Sequence, residues 1–72
     1  MRNNQVLTVE INGEPKNIED GTTVSQLLAD LGITTGKVAV ERNLEIVPKS
    51  IYSDVCLRDG DRLEIVHFVG GG

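Results

Sequence analysis

The chain is poor in the residue types from which proteins build disulfides, metal centres and catalytic triads. Its 72 residues include one Cys, one His and no Trp. A single Cys excludes an intramolecular disulfide and a multi-Cys zinc site. A single His argues against a His-based metal site and against a Ser-His-Asp triad. We therefore expect neither a metal site nor a catalytic side chain on this chain.

Basic residues and long apolar runs are also scarce. Seven Lys+Arg against 11 Asp+Glu give a formal net charge of -4, whereas nucleic-acid-binding proteins carry a basic surface. No apolar run approaches the roughly 18 residues that indicate a membrane-spanning helix. The opening MRNNQ lacks the apolar stretch of a signal peptide. The expected protein is a small acidic domain of the cytoplasm that contacts neither nucleic acid nor membranes.

The short length limits the chain to one domain. A chain of this size buries only about 60% of the surface that its unfolded form exposes, which leaves little room for a deep substrate pocket. We assign residues 1–69 to this single domain and residues 70–72 to a flexible glycine tail. Residues 1–5 carry no structural pattern, and we expect them to be disordered.

The first half of the chain predicts a hairpin followed by a helix. Apolar residues alternate over VLTVEI (6–11), Asn-Gly at 12–13 is typical of a type I′ turn, and 14–18 returns as a second strand. Pro15 has no N–H group, so this second strand belongs at a sheet edge. A helix is predicted over 24–31 because Thr23 and Gln26 have capping-box spacing and apolar residues recur every three or four positions. Gly32 suits the left-handed position after a helix.

The second half predicts short strands at 37–41, 44–47, 54–57 and 63–68, with turns at 42–43 and 59–60. Ile51 and Tyr52 fit either a helical turn or an anchored loop. The segment 54–57 contains Cys56 between two apolar residues, which favours a thiol that is half-buried or packed in the core. Strands around one main helix predict an α+β fold with a mixed sheet of four to five strands. If the first and last strands pair at the centre they run parallel, which is a β-grasp layout.

The end of the chain is the strongest candidate functional feature. Gly70, Gly71 and Gly72 follow the last strand directly. A glycine segment without Cβ atoms fits an extended path through a narrow channel, where it could present a terminal carboxylate to another protein. A frayed terminus is the alternative interpretation. Within the last strand, Val66 and Phe68 alternate with the helix-facing residues, so we expect them, with Ile46, to form a partner-docking patch.

Three blocks of the sequence stand out together: the ending DGDRLEIVHFVGGG, the preceding VAVERNLEIVP and the helix after DGTTVSQLL. In these blocks and in their order, from residue 6 to 72, the chain resembles the ThiS family of sulfur carrier proteins from thiamin biosynthesis. The resemblance implies a ubiquitin-like β-grasp fold. It also implies that the carboxylate of Gly72, extended by Gly71 and Gly70, is the reactive group.

The implied chemistry places every active site on a partner protein. A ubiquitin-activating-like adenylating enzyme of the ThiF type would use ATP to adenylate the Gly72 carboxylate, and a persulfide donor would convert it to a thiocarboxylate. Thiazole synthase of the ThiG type would then take the sulfur. The carrier itself would bind no cofactor and would not be an enzyme. Two alternatives remain at this point: the small subunit of molybdopterin synthase or another ubiquitin-like sulfur carrier, and a non-catalytic β-grasp interaction module.

Overall fold

The computed structural model describes residues 5–33 and 35–68. Residues 1–4, 34 and 69–72 lie outside the described part, and with them the glycine tail and most of the start that we expect to be disordered. Gln5, the last residue of that start, is described, and its carbonyl accepts a hydrogen bond from the Asp20 N–H group at 2.9 Å. In chain order the elements are β1 (Val6–Ile11), β2 (Glu14–Glu19), α1 (Val24–Asp30), a 3-10 turn (Thr35–Lys37), β3 (Val38–Arg42), β4 (Glu45–Val47), a second 3-10 turn (Lys49–Ile51) and β5 (Arg62–His67).

The described strands form one mixed sheet in the order β2-β1-β5-β3-β4. The two hairpins, β1–β2 and β3–β4, are antiparallel, and β5 lies between them. It runs parallel to β1 and antiparallel to β3. The predicted central pairing of the first and last strands is therefore confirmed, as is the placement of Pro15 on an edge strand. This strand order with one helix on one face is the β-grasp arrangement that the sequence predicts.

Helix α1 begins with the predicted capping box. The hydroxyl of Thr23 accepts a hydrogen bond from the Gln26 N–H group at 3.1 Å, and the Gln26 side-chain oxygen accepts one from the Thr23 N–H group at 3.2 Å. These two bonds satisfy donors that the first helical turn leaves without partners. The helix ends one residue earlier than predicted, at Asp30, and Gly32 adopts the expected positive φ of 74°.

The core lies between α1 and one face of the sheet. The side chains on the helix face of the sheet alternate with exposed ones along each strand, as the period of two requires. Burial raises the pKa of Tyr52, which packs beneath the sheet, although a hydrogen bond with the backbone of Val40 opposes that rise. The buried apolar residues are Val9, Ile18, Val24, Leu27, Leu28, Val38, Val40, Val47, Tyr52, Leu57, Leu63 and Ile65.

Two sequence-based predictions about the loops need correction. The predicted strand at 54–57 is reduced to a single bridge between Cys56 and Thr23, because Val55 and Leu57 bond to the segment that leads into the helix rather than to a strand. The predicted turn at 42–43 lies one residue later, and its central residues are Asn43 and Leu44.

Candidate functional site

Strand β5 and the residue that follows it present two large apolar side chains on the face opposite the helix. Leu63 and Ile65 point into the core, and Val66 and Phe68 are 55% and 54% exposed on the open face. The N–H group of Phe68 donates to the Lys37 carbonyl at 2.9 Å, so regular pairing with the β3 side continues to the last described residue. The predicted exposure of Val66 and Phe68 on this face is confirmed. This hydrogen bond holds Phe68, the residue before 69–72, beside the central strand of the sheet.

Ile46 lies on the same open face, but in the strand register it is not a neighbour of Val66 or Phe68. It lies opposite Glu41 on β3, which in turn lies opposite Glu64 on β5, whereas Val66 lies opposite Ala39. Ile46 is 64% exposed on the edge strand β4. The three residues therefore form an apolar surface that is interrupted by two carboxylates.

The tip of the β3–β4 hairpin carries a further exposed apolar residue that the sequence analysis did not select. Asn43 and Leu44 have φ values of 53° and 72°, which are the two positive values of a type I′ turn. Leu44 is 91% exposed. A residue with a Cβ atom costs about 1–2 kcal/mol in the left-handed conformation, so glycine would suit this position better. No propensity rule predicts a leucine here.

The side chain of Asn12 holds β5 beyond the last backbone pairing with β1. Its Oδ1 accepts from the Ile65 N–H group at 2.8 Å, and its Nδ2 donates to the Ile65 carbonyl at 3.2 Å. The amide thus occupies the place of the next backbone unit of β1, whose own backbone turns away at Gly13. This clamp fixes β5 three residues before the last described residue. The Asn-Gly signal predicted the turn but not this contact, which spans 53 positions.

A second asparagine and a buried carboxylate hold the beginning of β5. Asp61 is 6% exposed. It accepts hydrogen bonds from Arg42 Nε at 2.8 Å, the Arg58 N–H group at 2.9 Å and Asn43 Nδ2 at 3.1 Å. Desolvation alone would raise the pKa of Asp61, but these bonds and the charge of Arg42 together hold it below its ordinary value of 3.8. The network attaches the β3–β4 turn to the start of β5, and Asn43 adds a bond from its Oδ1 to the Arg62 N–H group.

The described residues offer little for catalysis within the domain itself. Among residues 5–33 and 35–68 there is no group of three or more metal-ligating side chains. A shallow groove of about 710 Å³ beside the β1–β2 turn is lined by His67 but by no Ser, Thr or Cys.

The expectation that the Cys56 thiol is half-buried or packed in the core is wrong, because Cys56 is exposed and only its backbone forms the bridge to Thr23. In the same described ranges, no helix has the length and apolar character needed to cross a bilayer.

Residues 9–72 match the model of the ThiS family. The chain is 46% identical to the sulfur carrier protein ThiS of Bacillus subtilis over 65 residues, which are 89% of this chain and 98% of that protein. It is 61% identical over 62 residues to a thiazole synthase of Paramagnetospirillum magneticum. That match covers 86% of this chain but only 19% of the synthase. The chain therefore spans about a fifth of the length of this relative, and the same holds for a thiazole synthase of Magnetococcus marinus.

The fold has a solved counterpart as well. The crystal structure of the thiamine biosynthesis protein ThiS from Geobacter metallireducens superposes with a TM-score of 0.80 at 29% identity, covering 92% of this chain and all of that one. This agreement confirms the ubiquitin-like β-grasp fold predicted from the sequence. With a family match that reaches from β1 to the last residue and a ThiS relative aligned over nearly its whole length, the chain belongs to the ThiS family.

Proposed function

We propose that this protein is a sulfur carrier for thiazole formation in thiamin biosynthesis and has no catalytic activity of its own. The match to the ThiS family over residues 9–72 carries the proposal, because near-full-length relatives in that family are named sulfur carrier proteins. The geometry agrees with this role. The described domain has an exposed apolar surface at the end of its central strand rather than an enclosed catalytic pocket.

The reactive group in this proposal is the carboxylate of Gly72. A carboxylate is a poor acyl donor, so an adenylating enzyme of the ThiF type first joins it to the AMP part of ATP and releases pyrophosphate. A persulfide sulfur then attacks the acyl carbon and AMP leaves. A thiol cleaves the remaining S–S bond, which forms a disulfide and leaves the thiocarboxylate on Gly72. The ATP binds to the adenylating enzyme, and the carrier supplies no cofactor site.

Thiazole synthase is the proposed acceptor of the sulfur. Two relatives with that name contain a segment similar to this chain, which supports a functional link between carrier and synthase. Gly70 and Gly71 would let the arm enter the narrow sites of both enzymes, because glycine has no side chain to clash with the channel walls. The surface formed by Val66, Phe68 and Ile46 would dock the domain. We propose that the carrier works in the cytoplasm, where thiols are kept reduced, because its sulfur donor must stay reduced.

Intact-mass spectrometry tests the proposal directly. The protein is incubated with a ThiF-type enzyme, ATP and a persulfide donor, and the mass should rise by the difference between sulfur and oxygen. A variant lacking Gly72 and a variant with one residue added after it are the controls, and neither should gain this mass. The spectrum of protein isolated from cells also reports which residue is terminal. Sulfur uptake by the variant without Gly72 would refute the assignment, and no uptake by the unaltered protein would refute the carrier role.

Copurification separates the proposal from the molybdopterin branch. A tagged chain should retain thiazole synthase from a cell extract rather than the large subunit of molybdopterin synthase. Retention of the molybdopterin subunit alone would contradict the thiazole assignment while leaving sulfur transfer intact.

A further inference from the structure

The open face of the sheet contains an unfavourable pair of charges. Glu41 and Glu64 lie directly opposite each other on β3 and β5, and like charges in that position destabilise a sheet. Of the nearest cations, Arg42 pairs with Asp61, and Arg62 lines the same shallow groove as both glutamates but has its Nε 3.6 Å from Glu10. Within residues 5–33 and 35–68, neither Glu41 nor Glu64 has a salt-bridge partner.

Exposed apolar side chains lie next to this pair of glutamates. Ile46 lies opposite Glu41 in the register, and Leu44 lies at the tip of the same hairpin. Leu44 keeps an almost fully exposed side chain in a conformation that suits glycine. The repulsion and the backbone strain therefore occur on adjoining parts of one surface, and neither improves the folding of the isolated domain. We call Leu44, Ile46, Glu41 and Glu64 the hairpin strip.

We propose that the hairpin strip is the docking surface for thiazole synthase. It would receive a synthase surface that inserts one Arg or Lys side chain between Glu41 and Glu64 and packs apolar side chains on Leu44 and Ile46. The inference rests on the proposed function, in which thiazole synthase takes the sulfur. A cation placed between the two carboxylates replaces their repulsion by two charge-assisted bonds, and burial against the partner strengthens those bonds.

The chemistry of the strip favours a protein occupant over a metal ion. Two carboxylates supply too few oxygens for a calcium site, which requires about six to eight. A partner protein satisfies the carboxylates and the apolar residues at once, as interfaces with charged groups around apolar anchors do. The strip also continues from Val66 along the same face, so one partner surface could cover it while the arm reaches the active site.

Binding of the full chain to purified thiazole synthase tests the inference, with isothermal titration calorimetry at two salt concentrations. The Leu44→Gly variant should bind about tenfold more weakly, a loss typical of an apolar anchor. Its Tm should be equal to or above that of the parent, because glycine accepts the positive φ. The Leu44→Met variant, which keeps an apolar side chain in the same backbone, should bind within about twofold of the parent.

The charge component has its own matched control. The double variant Glu41→Gln/Glu64→Gln should also bind about tenfold more weakly and lose most of the salt dependence of binding. The double variant Glu14→Gln/Asp30→Asn removes the same net charge from β2 and the helix, away from the strip, and should bind like the parent. Equal losses in both double variants, or unchanged binding in the first, would overturn the inference, as would binding loss only toward the adenylating enzyme. Thiocarboxylate formation, followed separately by mass, distinguishes failure of this surface from failure of the carrier role.

Discussion

The carboxylate of Asp61 offers the sharpest test of what holds the central strand in place. The substitution Asp61→Asn keeps the size of the side chain and removes its charge, so no cavity forms. The amide oxygen of the variant can replace only one of the two carboxylate oxygens. Its amide N–H groups must then face a donor, whether Asn43 Nδ2 or the pair formed by Arg42 Nε and the Arg58 N–H group.

The contacts of Asp61 set the expected size of the effect. Hydrogen bonds to charged groups contribute about 1.5–3 kcal/mol, and a buried donor without an acceptor costs about 1–3 kcal/mol. The Arg42 side chain is 27% exposed, so water reaches its guanidinium group and lowers the penalty. We expect the free energy of unfolding to fall by about 3 kcal/mol, from the roughly 4–11 kcal/mol usual for a domain of this length. The Tm should fall by about 12–24 °C.

The pKa of Asp61 gives this loss a defined pH dependence. The folded state holds the pKa below 3.8, while the unfolded chain has the ordinary value. A depressed folded pKa stabilises the protein above the unfolded pKa, and this contribution is lost as the pH falls through the folded value. The difference in unfolding free energy between the parent and Asp61→Asn should therefore be constant above about pH 5 and shrink below it.

Thermal unfolding followed by circular dichroism between about pH 3 and pH 7 measures both quantities. The control is Asp54→Asn, which removes an exposed carboxylate with no side-chain hydrogen bond among the described residues. Its Tm should match that of the parent within about 2 °C. A Tm loss below about 4 °C for Asp61→Asn at neutral pH would refute the proposed energetic role of the network. A loss that stays the same down to the acid limit would refute the role of the charge.

Two further predictions concern β5. The Phe68→Asp variant should adenylate more slowly with a ThiF-type enzyme and keep the Tm of the parent, because the side chain is exposed; normal turnover in a pyrophosphate-release assay would refute a docking role for Phe68. The Asn12→Ala variant should lose about 1–2 kcal/mol of stability and show faster hydrogen exchange at the Ile65 amide, since both bonds of the clamp disappear. Unchanged exchange at Ile65 would mean that the clamp does not hold the strand in solution.

Local sequence patterns were sufficient to predict most of the fold. The type I′ turn after β1 and the capping box of α1 depend on residues within four positions of each other, and the structure has both. The exposed position of Val66 follows from simple alternation along β5. Because these features depend on residues that are close together in the chain, the sequence pattern alone predicts them.

The contacts missed by the sequence analysis join residues far apart in the chain. Asn12 and Ile65 are separated by 53 positions, and Asp61 lies 18 and 19 positions from the side chains of Asn43 and Arg42. Nothing in the local pattern indicates where a turn asparagine will direct its amide. The predicted placement of Leu44 in a strand is wrong for a different reason, because a leucine after Arg-Asn is typical of the start of a strand.

The central position of β5 makes folding depend on the strand that comes last among the described elements. Until Arg62–His67 is available, no described backbone pairing connects the β1–β2 hairpin to the β3–β4 hairpin. A chain interrupted before β5 would hold two separate hairpins, and an isolated hairpin is at best marginally stable in water. Truncated products would thus remain open to proteases, whereas any chain that folds has already incorporated the strand that leads to residues 69–72. The sheet order thus makes folding of the described domain depend on the strand from which residues 69–72 continue.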